Sequence, residues 1–313
     1  MATMMRAIRQ EVLGGPEVLK EVEIERPEPG VSQLLVRVHA AGVNPTDWGH
    51  RAFPIFLGPP PFTLGWDVSG VVEATGFGVT LFKPGDEVFG MLPYPHGAGS
   101  HADYVTGPAR AFARKPRTVD HVQAGALPLA ALTAWQALND TAQLAAGQRV
   151  LIHAAAGGVG HLAVQIAKAR GAYVIGTASA GHHDLVRDLG ADEMIDYRTT
   201  DFAEAVSDVD VVLDSITGDY SARSLRTLRP GGILVSLLPF GSEVPAEAER
   251  LGVRTELMLV EHDHAGMTEI AGLVTRGKLR PVIAATFPLA EAAKAHELGE
   301  TRHVAGKLVL TMV

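Results

Sequence analysis

The chain has 313 residues, 47% of them apolar and 20% charged, which suits about two packed domains of ordinary globular composition. Thirty-five acidic against 27 basic residues give a net charge of −8 with no basic tract, which argues against nucleic acid or an anionic membrane surface as a partner. There is no cysteine, so disulfides, thiol nucleophiles, iron–sulfur clusters and every Cys-ligated zinc site are excluded.

The N-terminal stretch Met1–Gly15 carries Arg6 and Arg9 and no signal-peptide core. No apolar run approaches the roughly 18 residues of a membrane helix. Both observations point to the cytoplasm. The first 120 or so residues read as short strands. Leu34, Val36, Val38 and Ala40 alternate with Leu35, Arg37 and His39, a period of two. Gly14-Gly15-Pro16, Pro27–Gly30, Pro59-Pro60-Pro61 and Lys83-Pro84-Gly85-Asp86 are turn signals between strands, so an antiparallel barrel-like domain is expected.

From His121 the texture changes. Ala124–Leu138 reads as a helix with Pro128 near its start. Then strands at Arg149–His153, Ala172–Thr177, Asp210–Leu213, Gly232–Leu237 and Thr255–Val260 alternate with helical patterns. That order predicts a parallel sheet covered on both faces. His262-Asp263-His264 reads as a charged loop rather than a metal clip. The tail returns to strand, helix and strand at Pro281–Thr286, Ala290–Leu298 and Lys307–Thr311.

The strongest local signal is Arg149–His153 running into Ala154-Ala155-Ala156-Gly157-Gly158-Val159-Gly160. A strand meets a small-residue turn that opens a helix, with Val159, Leu162, Ala163 and Ile166 on one stripe. Such a turn lets a pyrophosphate approach the backbone at a helix N-terminus, so Ala154, Ala155, Gly157, Gly158, Val159 and Gly160 are candidate dinucleotide contacts. No Asp or Glu follows the second strand, which ends at Thr177-Ala178-Ser179. A carboxylate there would hold the ribose 2′-hydroxyl of NAD, whereas Ser179 can donate to a 2′-phosphate. NADPH is the expected cofactor. Ser215 and Leu237 end later strands, where such sheets bind ligands.

Several short strings now stand in a single order: Ala40–Trp48 around Asn44-Pro45, Leu64–Val72 around Gly65-Trp66-Asp67, Phe82–Val88, Leu132-Thr133-Ala134-Trp135, Leu189–Asp192, Arg229–Gly232 and Gly277–Pro281. Together with the cofactor turn they resemble the medium-chain dehydrogenase/reductase superfamily, in its zinc-free quinone oxidoreductase and enone reductase branch. The resemblance implies an α/β protein, with a chaperonin-10-like β-barrel substrate domain over 1–121 and 277–313 and a Rossmann domain over 122–276.

It also implies that Asn44 stands where zinc alcohol dehydrogenases carry Cys, and that Trp66 replaces a ligand His. No metal site is expected. Asn44 and Thr133 are placed near the nicotinamide, Asn44 as a donor to substrate or ribose. Ser179, Tyr197 and Arg302 match positions that hold a 2′-phosphate. The matching Lys is absent, and His182 and His183 read as solvated residues opening a helix. Tyr94, His96 and His101 lie in a loop expected to be packed or solvated. A homodimer built on the Rossmann domain follows from the resemblance, with Leu257–Val260 as its candidate edge. Two functions share these residues: hydride transfer from NADPH to a small-molecule quinone or enone, and a non-catalytic NADPH-binding structural or interaction role.

Overall fold

Six short strands between Arg149 and Leu257 form one parallel sheet: β1 (Arg149–Ile152), β2 (Tyr173–Ala178), β3 (Glu193–Asp196), β4 (Val209–Asp214), β5 (Leu228–Ser236) and β6 (Arg254–Leu257). The computed structural model describes residues 3–216 and 218–312. Strand order is β3-β2-β1-β4-β5-β6. Order reverses beside β1, the switch point where doubly wound sheets bind ligands. The central strands β1 and β4 carry apolar runs because both faces are covered: Leu151, Ile175, Val212 and Leu234 are buried together with Phe202, Leu225 and Val244. Each such aliphatic burial contributes about 1.5–3 kcal/mol.

By internal contacts the chain divides into two compact units, 133–260 and 1–132 with 261–313. In the second unit a seven-stranded sheet is built around the long strand Gln33–Val43, which pairs with Asp67–Thr75, Tyr104–Pro108 and Lys307–Thr311. A three-stranded sheet centred on Met4–Gln10 completes the β structure.

The alternation expected along Gln33–Val43 holds for Leu34, Val36, Val38 and Ala40, all buried, but Leu35 is buried as well. The register against Asp67–Thr75 slips between Leu35 and Val36, and again between Val38 and Ala40. The first slip leaves Glu73 of Asp67–Thr75 without an opposite residue and the second does the same for His39, so each strand carries one bulge and bends there.

Three further differences have local causes. The expected helix 124–138 is broken at Ala126, and Pro128 opens a new helix, Pro128–Trp135, that relaxes into a π-turn over Gln136–Thr141. Proline at a first helical position has no amide hydrogen to leave unpaired. His262-Asp263-His264 is the start of a helix, His264–Thr275, with Asp263 accepting from the amides of Ala265 and Gly266. The charged loop is therefore an N-cap. In the tail, the expected strand Pro281–Thr286 is Ile283–Pro288, and the helix is Ala292–Glu300. Among the described residues, no helix is long and apolar enough to cross a membrane.

Candidate functional site

Two constellations stand out, one on each unit. On the parallel sheet every candidate cofactor residue follows the carboxyl end of a strand. β1 feeds the turn 153–159, and the helix Gly160–Ala169 starts at its last glycine. Ala154 sits at φ +48°, a backbone that glycine usually supplies. Gly160 must lack a side chain, because a Cβ there would run into the carbonyl oxygen of Ala154. That close approach aims the N-terminus of the helix, the positive end of its dipole, past the end of β1.

The register brings the other candidates alongside. Ala178 pairs with Asp196, so Ser179 and Tyr197 are the first residues beyond two neighbouring strands. Ser179 Oγ lies 3.3 Å from His182 Nδ1, and the guanidinium of Arg198 stands 5.8 Å from the ring centroid of the exposed Tyr197. His182 and His183 do open a helical segment, but both are half-buried, and His183 Nε2 lies 3.1 Å from the Ala178 carbonyl. Asp214 pairs with Ser236, which sets Ser215 and Leu237 side by side. The Leu237 amide donates to Asp214 O at 2.8 Å. Thr133 is buried in the helix Pro128–Trp135. Asn44 and Arg302 belong to the other unit, where Arg302 is exposed at φ +57°.

Sequence reasoning passed over two residues that shape this edge. His153, at the end of β1, is buried with Nδ1 3.2 Å from Thr177 Oγ1 and Nε2 2.9 Å from Ser224 Oγ. Burial pushes its imidazole down to about 3, with Arg223 adding repulsion, so it is a neutral strut. Asp214 accepts from Ser221 Oγ at 2.6 Å and from the Ile216 amide at 2.9 Å, fixing the loop after β4.

The second constellation is a buried polar cluster around Asn44. Asn44 caps the helix Pro45–Ala52, with its amide donating to Asp47 Oδ2 at 2.7 Å. Its Nδ2 donates to Asp67 Oδ2 at 2.8 Å, and its Oδ1 accepts from Lys307 Nζ. Lys307 also lies 3.5 Å from Asp67 Oδ2 and 3.3 Å from the Val43 carbonyl. Asp67 Oδ1 takes the Leu129 amide at 2.6 Å, and Asp47 Oδ1 takes the Gly65 amide at 3.1 Å. One lysine thus faces two carboxylates with no solvent contact. Burial pushes the Asp47 carboxyl up to about 7, and the charge of Asp67 adds to the shift. A carboxamide has two N–H donors, and Asn44 spends one internally, leaving one for an outside acceptor. Lys307 was visible only as a strand residue. Its role depends on a pairing 264 residues away that no local pattern encodes.

Of the two expectations for His101, packed or solvated, the structure shows the packed one. It is fully buried with its ring 6.1 Å from that of His296, and burial lowers it to about 4. Tyr94 and His96 join an aromatic cluster with His50, Phe56 and Trp66.

Residues 30–117 match the family pattern of the alcohol dehydrogenase GroES-like domain, and residues 189–310 that of the zinc-binding dehydrogenases. The chain is 39% identical to a 2-haloacrylate reductase of a Burkholderia species, across 95% of this chain and 96% of the relative. It superposes on the quinone oxidoreductase of Coxiella burnetii with a TM-score of 0.93 and 38% identity, over 99% and 100% of the two chains. This chain belongs to the medium-chain dehydrogenase/reductase superfamily. As a member it is an NAD(P)H-dependent oxidoreductase with a GroES-like domain and a Rossmann-like parallel sheet. Another superfamily structure, the Escherichia coli quinone oxidoreductase complexed with NADPH, matches at a TM-score of 0.88 and 30% identity, over 98% and 99% of the chains.

Proposed function

We propose that the chain catalyses zinc-independent, NADPH-dependent reduction of a quinone or an α,β-unsaturated carbonyl. The observation that carries this reading is the cluster at Asn44, Trp66, Asp67 and Lys307. Where zinc dehydrogenases are expected to hold metal, this chain has an amide, an indole that cannot ligate, and an ammonium already paired with the carboxylate. A zinc ion there would face the Lys307 charge. These donors do not fit the metal.

Alcohol oxidation by hydride loss needs an alkoxide, which a bound metal supplies by acidifying the hydroxyl. Conjugate reduction has no such need. The acceptor arrives electron-poor, and the protein supplies orientation and hydrogen-bond donors toward the developing charge, each worth about 3 kcal/mol. The free Nδ2 hydrogen of Asn44 is one such donor. NADPH supplies the hydride, and the residues present at the sheet edge fit it: a turn closed on Gly160, a helix N-terminus, and Ser179 directly after β2, where no Asp or Glu stands, with Tyr197 after β3. Arg302 is assigned to the 2′-phosphate. Residues 122–276 bind the nucleotide and 1–121 with 277–313 the acceptor. The chain is assigned to the cytoplasm and to a homodimer paired at the edge strand β6; Leu257 in that strand and Leu259 just beyond it, about half exposed at 52% and 51%, support the pairing.

The test is NADPH oxidation in the presence of a chelator, against a quinone, a short enone and a saturated ketone, with 2-propanol and NADP run in reverse. Turnover of the quinone or enone with chelator present is expected. Turnover of the saturated ketone alone, or brisk oxidation of 2-propanol, overturns the reading. On the cofactor side, Arg302→Ala and Tyr197→Phe are expected to raise KM for NADPH roughly tenfold, the cost of about 1.5 kcal/mol for a lost bond to a charged phosphate. KM for NADH should stay nearly constant. Equal losses with both cofactors would make these residues structural.

A further inference from the structure

At the carboxyl edge of the parallel sheet, strand order reverses between β1 and β4. A dinucleotide crosses such a sheet there, with one mononucleotide half on each side. The register sets His153, the first residue beyond β1, beside Asp214, the last of β4. Ile152 pairs with Leu213, and the His153 amide donates to the Leu213 carbonyl at 3.0 Å. His153 leads directly into Ala154 and the turn closed on Gly160. Asp214 leads into Ser215, which stands beside Leu237. The spacing of these two chain ends is the width of the crevice.

Both ends are tied to one short helix, Tyr220–Ser224. Ser221 Oγ donates to Asp214 Oδ2 at 2.6 Å, and Ser224 Oγ lies 2.9 Å from His153 Nε2. The remaining polar atoms of those partners are also taken: Asp214 Oδ1 accepts from the Ile216 amide, and His153 Nδ1 lies 3.2 Å from Thr177 Oγ1. Ser221, Ser224, His153 and Asp214 are all buried, none more than 3% exposed. Apolar packing already seats this helix. The Tyr220 ring stacks on Phe202 at 5.2 Å and meets the His153 ring edge-on, also at 5.2 Å. Such contact is non-directional, so it holds the helix down without fixing where β1 and β4 end. Two buried, fully satisfied hydrogen-bond networks do fix it.

We propose that Ser221 and Ser224 are positioning residues of the nucleotide crevice, Ser224 acting through His153 on the pyrophosphate turn and Ser221 acting through Asp214 on the nicotinamide side. Loss of Ser224 lets the His153 ring tilt, and the turn that begins at Ala154 drifts from the pyrophosphate. Loss of Ser221 frees the Asp214 carboxylate and, with it, the Ile216 amide and the chain beyond β4.

This role rests on the proposed NADPH site, and binding measurements separate the two. The full chain is titrated with NADPH, with 2′-phospho-ADP-ribose, which lacks the nicotinamide, and with 2′-AMP, which lacks the pyrophosphate as well. Ser224→Ala should raise Kd for the first two about fivefold, the worth of one hydrogen bond, and leave 2′-AMP unchanged. Ser221→Ala should raise Kd for NADPH about fivefold and leave both fragments unchanged. His153→Leu should repeat the Ser224→Ala pattern, and adding Ser224→Ala to it should change nothing further. Ser221→Cys and Ser224→Cys, near in size and weak in hydrogen bonding, carry the same measurements where an alanine variant fails to fold.

Melting temperatures that fall while all three constants hold make the serines structural and overturn the proposal, as do three constants that rise together. Either result leaves the NADPH site standing, because wild type binds the cofactor. Additive effects of His153→Leu and Ser224→Ala also overturn it. NADH, ADP-ribose and AMP are run in parallel. A wild type that binds only these, with the same split among the variants, supports the positioning role and removes the NADPH reading. A wild type that binds neither series overturns both.

Discussion

Lys307→Met is expected to destabilise the chain by about 3–5 kcal/mol, because it strips the ammonium from a cluster in which Asp67 is wholly buried and Asp47 is linked to it through Asn44. Against a total stability of about 5–15 kcal/mol this is a large loss. Two charges drawn out of water cost several kcal/mol each, and the ammonium offsets that cost only while both remain. The double variant Lys307→Met/Asp67→Asn should therefore recover much of the deficit, since no lone charge is left inside. Urea denaturation of wild type, single and double variants reads both numbers. A single variant within about 1 kcal/mol of wild type would mean that the cluster is hydrated and the argument wrong.

Acid should unfold the protein early, near pH 4. His101, His153 and His296 are buried as neutral rings, lowered by burial to about 4, about 3 and about 2, with His101 and Arg51 adding to the shift of His296. Their unfolded forms take up protons near 6.5. Below that pH the unfolded chain binds more protons than the folded one, so stability falls as pH falls. From 6.5 to about 4 each ring loses about 3 kcal/mol. Asp47 runs the other way. Raised to about 7, its carboxyl stabilises the fold when protonated, an advantage present at low pH and lost as pH rises through 7. One such group offsets about one histidine and leaves a net loss comparable to the whole stability. Denaturation midpoints taken at steps from pH 7 to 4 should drop steeply, and His153→Gln, which keeps a polar link to Thr177 and Ser224, should flatten the slope. A flat profile to pH 4 would refute the account.

How much of this was legible beforehand depends on the range of the interaction involved. The β1 turn and helix are local: strand, small residues and amphipathic stripe lie within about 20 positions, and Gly160 acts on the Ala154 carbonyl six residues away. The alternation of strand 33–43 was legible for the same reason, but the bulges were not. A register slip is decided by the partner strand Asp67–Thr75, and nothing in Leu35 announces it. The cap at Asp263 was present as sequence but was read as charge rather than as a short side chain before a helical run. Asn44 stood out through its motif. What surrounds it did not, because Asp67, Leu129 and Lys307 meet only when three distant segments pair. The aromatic cluster has the same character, drawing on 46–56, 66 and 94–96.

The pairing of Lys307–Thr311 against Ala40–Val43 also bears on how the molecule is made. Residues 133–260 are contiguous, so that unit has all its strands as soon as it leaves the ribosome. The other unit does not. Its central strand, Gln33–Val43, is synthesised early, yet the strand that covers one of its edges and the cation that neutralises Asp67 arrive more than 260 residues later. Throughout that interval the nascent N-terminal sheet has an open edge and a carboxylate without its ammonium, so exposure to mispairing during translation falls on residues 1–132 rather than on the parallel sheet.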